Sequence, residues 1–277
     1  MTGAPEWDTS GERSGRRGPE QCARASHVEQ LEHLVTSASS PAVPPLLADV
    51  VRSAGRLRAA AAGLDGERLR GPSALPGWTR AHVLAHVARA ADAYVRLLDA
   101  AATGGGAGRA DATALAEAVE KAAALPAGEL RADLGGSLDR FAVRARTLSE
   151  AAWDVLVTAL AGWRHPAWFT LRRCLRELET HHVDLDVGYA TSDWPVSYVD
   201  WALDDTLGAL TAYGFGLSTV AAVDLGRTWT VSPEGPLLTA PGHVLLGWLS
   251  GRTPARDLTP APLPEPPRWP LPPVPGW

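Results

Sequence analysis

Four long segments of the chain repeat apolar residues every three to four positions, a spacing that predicts amphipathic helices. They cover, in order, residues 44–68, 79–102, 128–153 and 166–188. Thr79 is a good N-cap for the second of them. The connections are short except for an excursion at residues 103–127, in which residues 111–124 form a further short helix. This arrangement is typical of a four-helix bundle, which we expect to occupy residues 41–190.

Residues 195–253 show a different pattern, in which helix and strand alternate. Residues 197–214 have the composition of a helix, and residues 227–232 alternate β-branched and aromatic side chains as a strand does. A second, short helix is expected at residues 241–250. The chain is therefore expected to be mainly α, with a helical bundle followed by a small α+β C-terminal domain that packs on it.

Both ends of the chain lack the pattern of a packed core. Residues 1–40 are polar and rich in glycine and serine, so we expect a disordered N-terminal extension. Ten of the 24 residues at 254–277 are proline, which excludes regular helix or sheet interior. We expect this tail to lie extended over the surface, and neither end to contribute to catalysis.

Composition and charge narrow the function mainly by exclusion. The 277 residues are 45% hydrophobic and 21% charged, which is the composition of a globular protein. The net charge of −5 gives no basic excess for nucleic-acid binding, and no apolar run reaches the ~18 residues of a membrane helix. The two cysteines, Cys22 and Cys174, cannot form a disulfide framework, so we expect a cytoplasmic protein.

The sharpest chemical pattern is a carboxylate and an imidazole one helical turn apart. Glu177 and His181 share a face of the fourth helix, and both could reach one metal ion. A third ligand would have to come from another helix, and His86 is a candidate because small residues follow it on its face. Taken alone, the same spacing also fits an exposed Glu–His pair, and His86 also fits a hydrogen-bonded core histidine.

Neighbouring polar residues have two interpretations each. Asp184 is either a hydrogen-bond acceptor for a ligand imidazole or a surface charge. Cys174 is either a catalytic thiol or, as we favour, a small buried side chain. His182 falls on the apolar stripe and is expected to be packed, whereas Trp78 and Trp194 are expected to anchor the core.

Two segments resemble the signatures of the mycothiol-dependent maleylpyruvate isomerases, a family of the DinB-like superfamily of metal-binding four-helix bundles. Residues 75–89, LPGWTRAHVLAHVAR, resemble the N-terminal signature, and residues 176–185, RELETHHVDL, resemble the second. The DWP triplet at residues 193–195 fits the junction between the domains, and residues 248–252 resemble the end of the C-terminal domain. The resemblance covers about residues 42–253.

The resemblance implies a site and a reaction. His86, Glu177 and His181 match the family's metal ligands, with Zn²⁺ as the expected divalent ion. Mycothiol is the implied thiol cosubstrate: its thiolate adds to the cis double bond of maleylpyruvate, the bond rotates, and elimination leaves the trans product. Arg252 matches a family arginine that binds the carboxylate of the small-molecule substrate, a role suited to the guanidinium fork.

Two departures from the family leave other functions open. Arg89-Ala90-Ala91-Asp92 stands where the family has Arg-Asn-Ala-Asp, and the glycine-rich residues 103–108 replace a tyrosine-containing loop. Both changes affect the substrate pocket more than the metal ligands. A mycothiol S-transferase of detoxification or biosynthesis uses the same ligands and thiol, and a non-catalytic metal-binding regulatory protein is the third alternative.

Overall fold

Helix predominates in the computed structural model, which describes residues 41–106, 112–160, 162–212, 214–258 and 263–265. In this described part the α-helices are α1 (Val43–Ala62), α2 (Gly66–Arg70), α3 (Arg80–Ala102), α4 (Ala112–Ala123), α5 (Ala127–Thr147), α6 (Phe169–Asp184), α7 (Val196–Ala212) and α8 (Gly242–Leu249). The strands are β1 (Leu156–Thr158), β2 (Arg164–Pro166), β3 (Thr219–Ala222), β4 (Arg227–Thr230) and β5 (Leu237–Ala240). The expectations for residues 1–40 and most of the proline-rich tail concern residues outside these ranges.

Four long helices pack around a common apolar core, as the sequence predicts. α3 contacts both α5 and α6, and α1 contacts the same two helices from the other side. The predicted stripes face inward, with Leu57, Leu84, Leu134 and Leu171 fully or almost fully buried. None of the described helices combines the length and apolar character that crossing a membrane requires.

The start of α3 is fixed by a reciprocal cap. The Thr79 hydroxyl accepts from the backbone N–H of His82, and the Thr79 N–H donates to Nδ1 of His82 at 3.2 Å. This arrangement satisfies backbone donors that the helix itself leaves free. It confirms the predicted N-cap, and it gives His82 a structural role.

The prediction that a helix runs from residue 166 was wrong at its start. Residues 156–158 and 164–166 form a β-hairpin, in which Val157 pairs with His165 and Leu156 with Pro166. Proline suits a first helical turn because it lacks an N–H, but the same property is tolerated at the end of a strand. α6 begins only at Phe169. The preceding helix likewise ends early, at Thr147, and a 3₁₀ turn at Glu150–Asp154 follows it.

The C-terminal segment combines α7 and α8 with a three-stranded sheet of order β4-β3-β5. β3 pairs antiparallel with β4 and parallel with β5. The strand predicted at residues 227–232 is confirmed as β4, whereas β3 and β5 were not predicted. α8 buries Leu245, Trp248 and Leu249, and this packing fixes the backbone that leads to Arg252.

Candidate metal centre

The structure brings His86, Glu177 and His181 together where α3 faces α6. One potential ligand atom from each residue lies within 4.8 Å of the others. Nε2 of His86 lies 3.0 Å from Oε2 of Glu177, and Nε2 of His181 lies 3.2 Å from the same oxygen. The two imidazole rings meet edge to face with their centroids 4.6 Å apart. Three donor atoms from two helices thus converge on one small region.

Helix geometry explains this convergence. Glu177 and His181 are four positions apart, so both project from one face of α6. On α3, His86 is followed on its face by alanines, including Ala93, whose small side chains let α6 approach closely. The approach of the two helices brings the third donor to the pair, as the sequence pattern suggested.

Asp184 fixes the orientation of the His181 ring. Its Oδ2 lies 2.9 Å from Nδ1 of His181, and its side chain is only 1% exposed. A carboxylate accepts a hydrogen bond from a ring N–H, so Nδ1 carries a proton and Nε2 is the nitrogen that faces Glu177. Of the two interpretations of Asp184, the structure shows the buried acceptor and excludes the surface charge.

The three candidate ligands are electrostatically coupled. Burial opposes the charged form of Glu177, but hydrogen bonds with His181 and His86 outweigh it and hold the pKa of that carboxyl well below its ordinary value. Burial also opposes the charged form of His181, but hydrogen bonds with Asp184 and Glu177 raise its pKa to about 9. A cation that replaces the proton on Nε2 of His181 would therefore find an ionised Glu177 already in place.

The donor set fits a divalent metal ion. Two imidazoles and one carboxylate are a common three-residue set for Zn²⁺ sites that keep a fourth position open for another ligand. The carboxylate that orients the outer nitrogen of His181 is also the usual second partner of a zinc-bound histidine. The residues therefore match the group that the sequence signatures imply.

Two aromatic side chains complete the surroundings of the ligands. The Tyr94 hydroxyl donates to Oε1 of Glu177 at 3.2 Å, and the ring of Trp78 lies 5.5 Å from that of His86. Tyr94 was not predicted as a site residue. Trp78, expected to anchor the core, is half-buried and packs against both the core and the candidate ligand His86. The one signal in the sequence for the contact of Tyr94 with Glu177 is the position of Tyr94 about two turns after His86 on the same helix.

Arg252 lies behind the candidate ligands and contacts Asp184. Its Nε donates to Oδ1 of Asp184 at 3.0 Å, and its Nη2 donates to Oδ2 at 2.7 Å. Nη1 donates to the backbone oxygen of Ser250. The guanidinium fork that the resemblance assigns to a substrate carboxylate is thus already bound to a carboxylate of the protein.

The remaining candidate residues are packed side chains, as expected from the sequence. Cys174 is 2% exposed, and burial raises the pKa of its thiol far above the ordinary value, which suits a packed side chain rather than a nucleophile. His182 is buried and stacks on Tyr189 with ring centroids 3.8 Å apart. Trp194 is buried and donates its indole N–H to the backbone oxygen of Glu179.

Comparison with known proteins adds an independent line of evidence. Residues 50–186 match the family model described as the mycothiol maleylpyruvate isomerase N-terminal domain. Two solved structures are similar over 82% of this chain and 97% of theirs, each with a TM-score of 0.76 and 25% sequence identity. They are crystal structures of a mycothiol-dependent maleylpyruvate isomerase and of a histidine-to-alanine mutant of such an enzyme. No curated protein sequence gives a significant match.

Proposed function

We propose that the chain is a metal-dependent enzyme that uses mycothiol for cis–trans isomerisation. Through residues 50–186 it belongs to the mycothiol-dependent maleylpyruvate isomerase family. The substrate would be a small carboxylate whose cis double bond is conjugated to a carbonyl, as in maleylpyruvate. The observation that supports this proposal most is the convergence of His86, Glu177 and His181 on one region. A cytoplasmic location suits a protein that depends on a reduced thiol.

Two of the three candidate ligands have a hydrogen-bond partner that fixes their direction. His86, Glu177 and His181 would hold the ion, and the ion would supply positive charge that lowers the pKa of the mycothiol thiol. Tyr94 holds one oxygen of Glu177 and leaves the other facing the two imidazoles. Asp184 keeps the proton on the far nitrogen of His181. No protein nucleophile is needed, which agrees with the burial of Cys174.

We assign Arg252 to positioning within this proposal. It touches no candidate ligand directly, but it holds both oxygens of Asp184, which in turn holds His181. Its guanidinium also neutralises a carboxylate that is almost fully buried. Arg252 would therefore act on the chemistry through the orientation of His181.

Metal analysis combined with a product assay tests the proposal. The purified protein should contain one divalent ion per chain and convert maleylpyruvate to the trans isomer only when mycothiol is present. His86→Ala should lose both the ion and the activity. His82→Gln is the matched control: it lies one turn earlier on the same helix, outside the ligand set, and glutamine can keep the cap. It should retain both properties.

Two results would point to the alternatives. A protein that joins mycothiol irreversibly to electrophiles, without releasing the thiol, would be an S-transferase. A protein that binds the ion with neither activity would be a metal-binding regulator. Either result would overturn the isomerase proposal while leaving the metal centre in place.

A further inference from the structure

Arg173 lies one helical turn before Glu177 and thus continues the row formed by Glu177 and His181 along α6. Its guanidinium carbon is 5.1 Å from the ring centroid of Tyr94 and 5.3 Å from that of Trp163. Tyr94 is also the residue whose hydroxyl contacts Glu177. Arg173 therefore lies about 6 Å from Glu177 along the helix axis and contacts the same tyrosine.

The groups that hold Arg173 are uncharged. Its Nη1 donates to Nε2 of His165 at 3.4 Å. The other ring nitrogen of His165 donates to the backbone oxygen of Pro166 at 2.8 Å, which leaves Nε2 as an acceptor. Burial, with the nearby charge of Arg173, lowers the pKa of His165 to about 3, so this histidine is neutral at physiological pH.

Arg173 lacks the counter-ion that two other arginines near the site have. Arg176 pairs with Asp205, and Arg252 pairs with Asp184. No ion pair among the described residues includes Arg173. The side chain is half-buried, so its charge is partly desolvated and still reachable from solvent. A partly desolvated cation without a partner favours binding of an anion.

The geometry around Arg173 suits a carboxylate. Two aromatic rings pack against the guanidinium, and a planar fork held in this way can bind a carboxylate through two parallel hydrogen bonds. Trp163 adds an unused donor to the cluster, because its buried indole N–H has no hydrogen-bond partner among the described residues. We propose that Arg173, held against Tyr94 and Trp163, is the subsite that binds the carboxylate of the electrophilic substrate. This inference rests on the proposed function for the identity of the ligand.

Binding of maleate, a four-carbon cis-dicarboxylate, tests the subsite without turnover. Isothermal titration calorimetry on the metal-loaded protein should show maleate binding that Arg173→Met weakens about tenfold to a hundredfold, the loss expected for one charged hydrogen-bond partner. Methionine fills the space between two rings with favourable sulfur contacts, so the fold should be kept. Arg172→Met is the matched control, because it removes the same charge from the next position, where the side chain contacts Trp201 instead. The maleate affinity of Arg172→Met should differ from that of the wild type by less than about threefold.

Kinetics separate substrate binding from other roles. Arg173→Met should raise KM for a carboxylate electrophile and leave kcat/KM for its uncharged diester unchanged, with metal content as in the wild type. Arg173→Lys should recover part of the affinity because it keeps the charge and loses the fork. If Arg173→Met fails to fold, maleate binding by Arg173→Lys tests the subsite instead. An affinity equal to that of the wild type would contradict binding through the guanidinium fork.

Unchanged maleate affinity in Arg173→Met would overturn the subsite whatever activity the enzyme has. Failure of the proposed function has a different signature. Maleate binding would still depend on Arg173, but the wild type would not isomerise maleylpyruvate with mycothiol.

Discussion

Replacing Arg252 with alanine tests whether this arginine supports the candidate metal centre or the substrate. In the structure its guanidinium donates to both oxygens of Asp184, at 3.0 and 2.7 Å. The two side chains are 13% and 1% exposed, so the pair is almost fully shielded from water. Arg252→Ala leaves Asp184 buried with His181 as its one remaining charged partner.

The expected loss of stability follows from the burial of this ion pair. Breaking a buried ion pair by removing one partner lowers the free energy of unfolding by about 3–5 kcal/mol. Because His181 still donates to Asp184, we expect the lower end, about 3 kcal/mol. Burial opposes the charged form of Asp184, but hydrogen bonds from His181 and Arg252 hold its pKa below the ordinary value, so the variant should raise this pKa. The weakened hold on His181 should reduce metal affinity by about tenfold to a hundredfold.

Urea unfolding followed by tryptophan fluorescence gives the stability, and competition with a chelator gives the zinc affinity. Arg52→Ala is a matched control, because Arg52 pairs with Asp49 but is 62% exposed. It should change the free energy of unfolding by less than about 1 kcal/mol. The double variant Arg252→Ala/Asp184→Asn should have nearly the same free energy of unfolding as Asp184→Asn alone, because both substitutions remove the same interaction.

One outcome would refute this reasoning. If Arg252→Ala unfolds and binds zinc like the wild type, yet loses kcat/KM on carboxylate substrates alone, Arg252 binds the substrate. That is the role that the sequence resemblance implies, and the contact with Asp184 would then be incidental.

Three further predictions concern other parts of the chain. Deleting residues 1–40 should leave metal content and activity intact; a large loss of either would show that this segment contributes to the site. Tyr94→Phe should keep its ring contact with Phe141 but weaken zinc binding roughly tenfold, because a hydrogen bond to a charged group contributes about 1.5–3 kcal/mol; unchanged zinc affinity would contradict this. Lowering the pH from 7 to 5 should reduce the free energy of unfolding by about 2 kcal/mol through His165. Its pKa is about 3 in the folded state and about 6.5 in the unfolded chain, so over this pH range only the unfolded chain takes up the proton. The pH dependence should be shallower in His165→Gln, and equal slopes would contradict it.

The long helices could be predicted because their pattern repeats over many turns, whereas the short strands could not. Twenty or more residues of a 3.6-residue period, with Thr79 at the cap, define α3 almost to the residue. β1 and β2 have three residues each, too few to show a period of two. The pairing that makes them strands comes from the hairpin and is invisible in either segment alone.

The same limit applies to the candidate site. Glu177 and His181 could be predicted as metal ligands from their spacing of one helical turn. His86 could be predicted from its place in the N-terminal signature. The partner of Asp184 could not be found in this way, because Arg252 lies 68 positions further along the chain. Arg173 was not singled out either, since what distinguishes it is the lack of a counter-ion, a property of packing.

The long separation between Asp184 and Arg252 also has a consequence for biosynthesis. A ribosome that adds about 5–20 residues per second needs roughly 3–14 s to add the 68 residues that follow Asp184 up to and including Arg252. During that interval the nascent bundle can already bring its two histidines and Glu177 together, but the carboxylate behind His181 lacks its arginine. If these residues bind a metal ion as proposed, a chain truncated before Arg252 should hold that ion more weakly than the full chain.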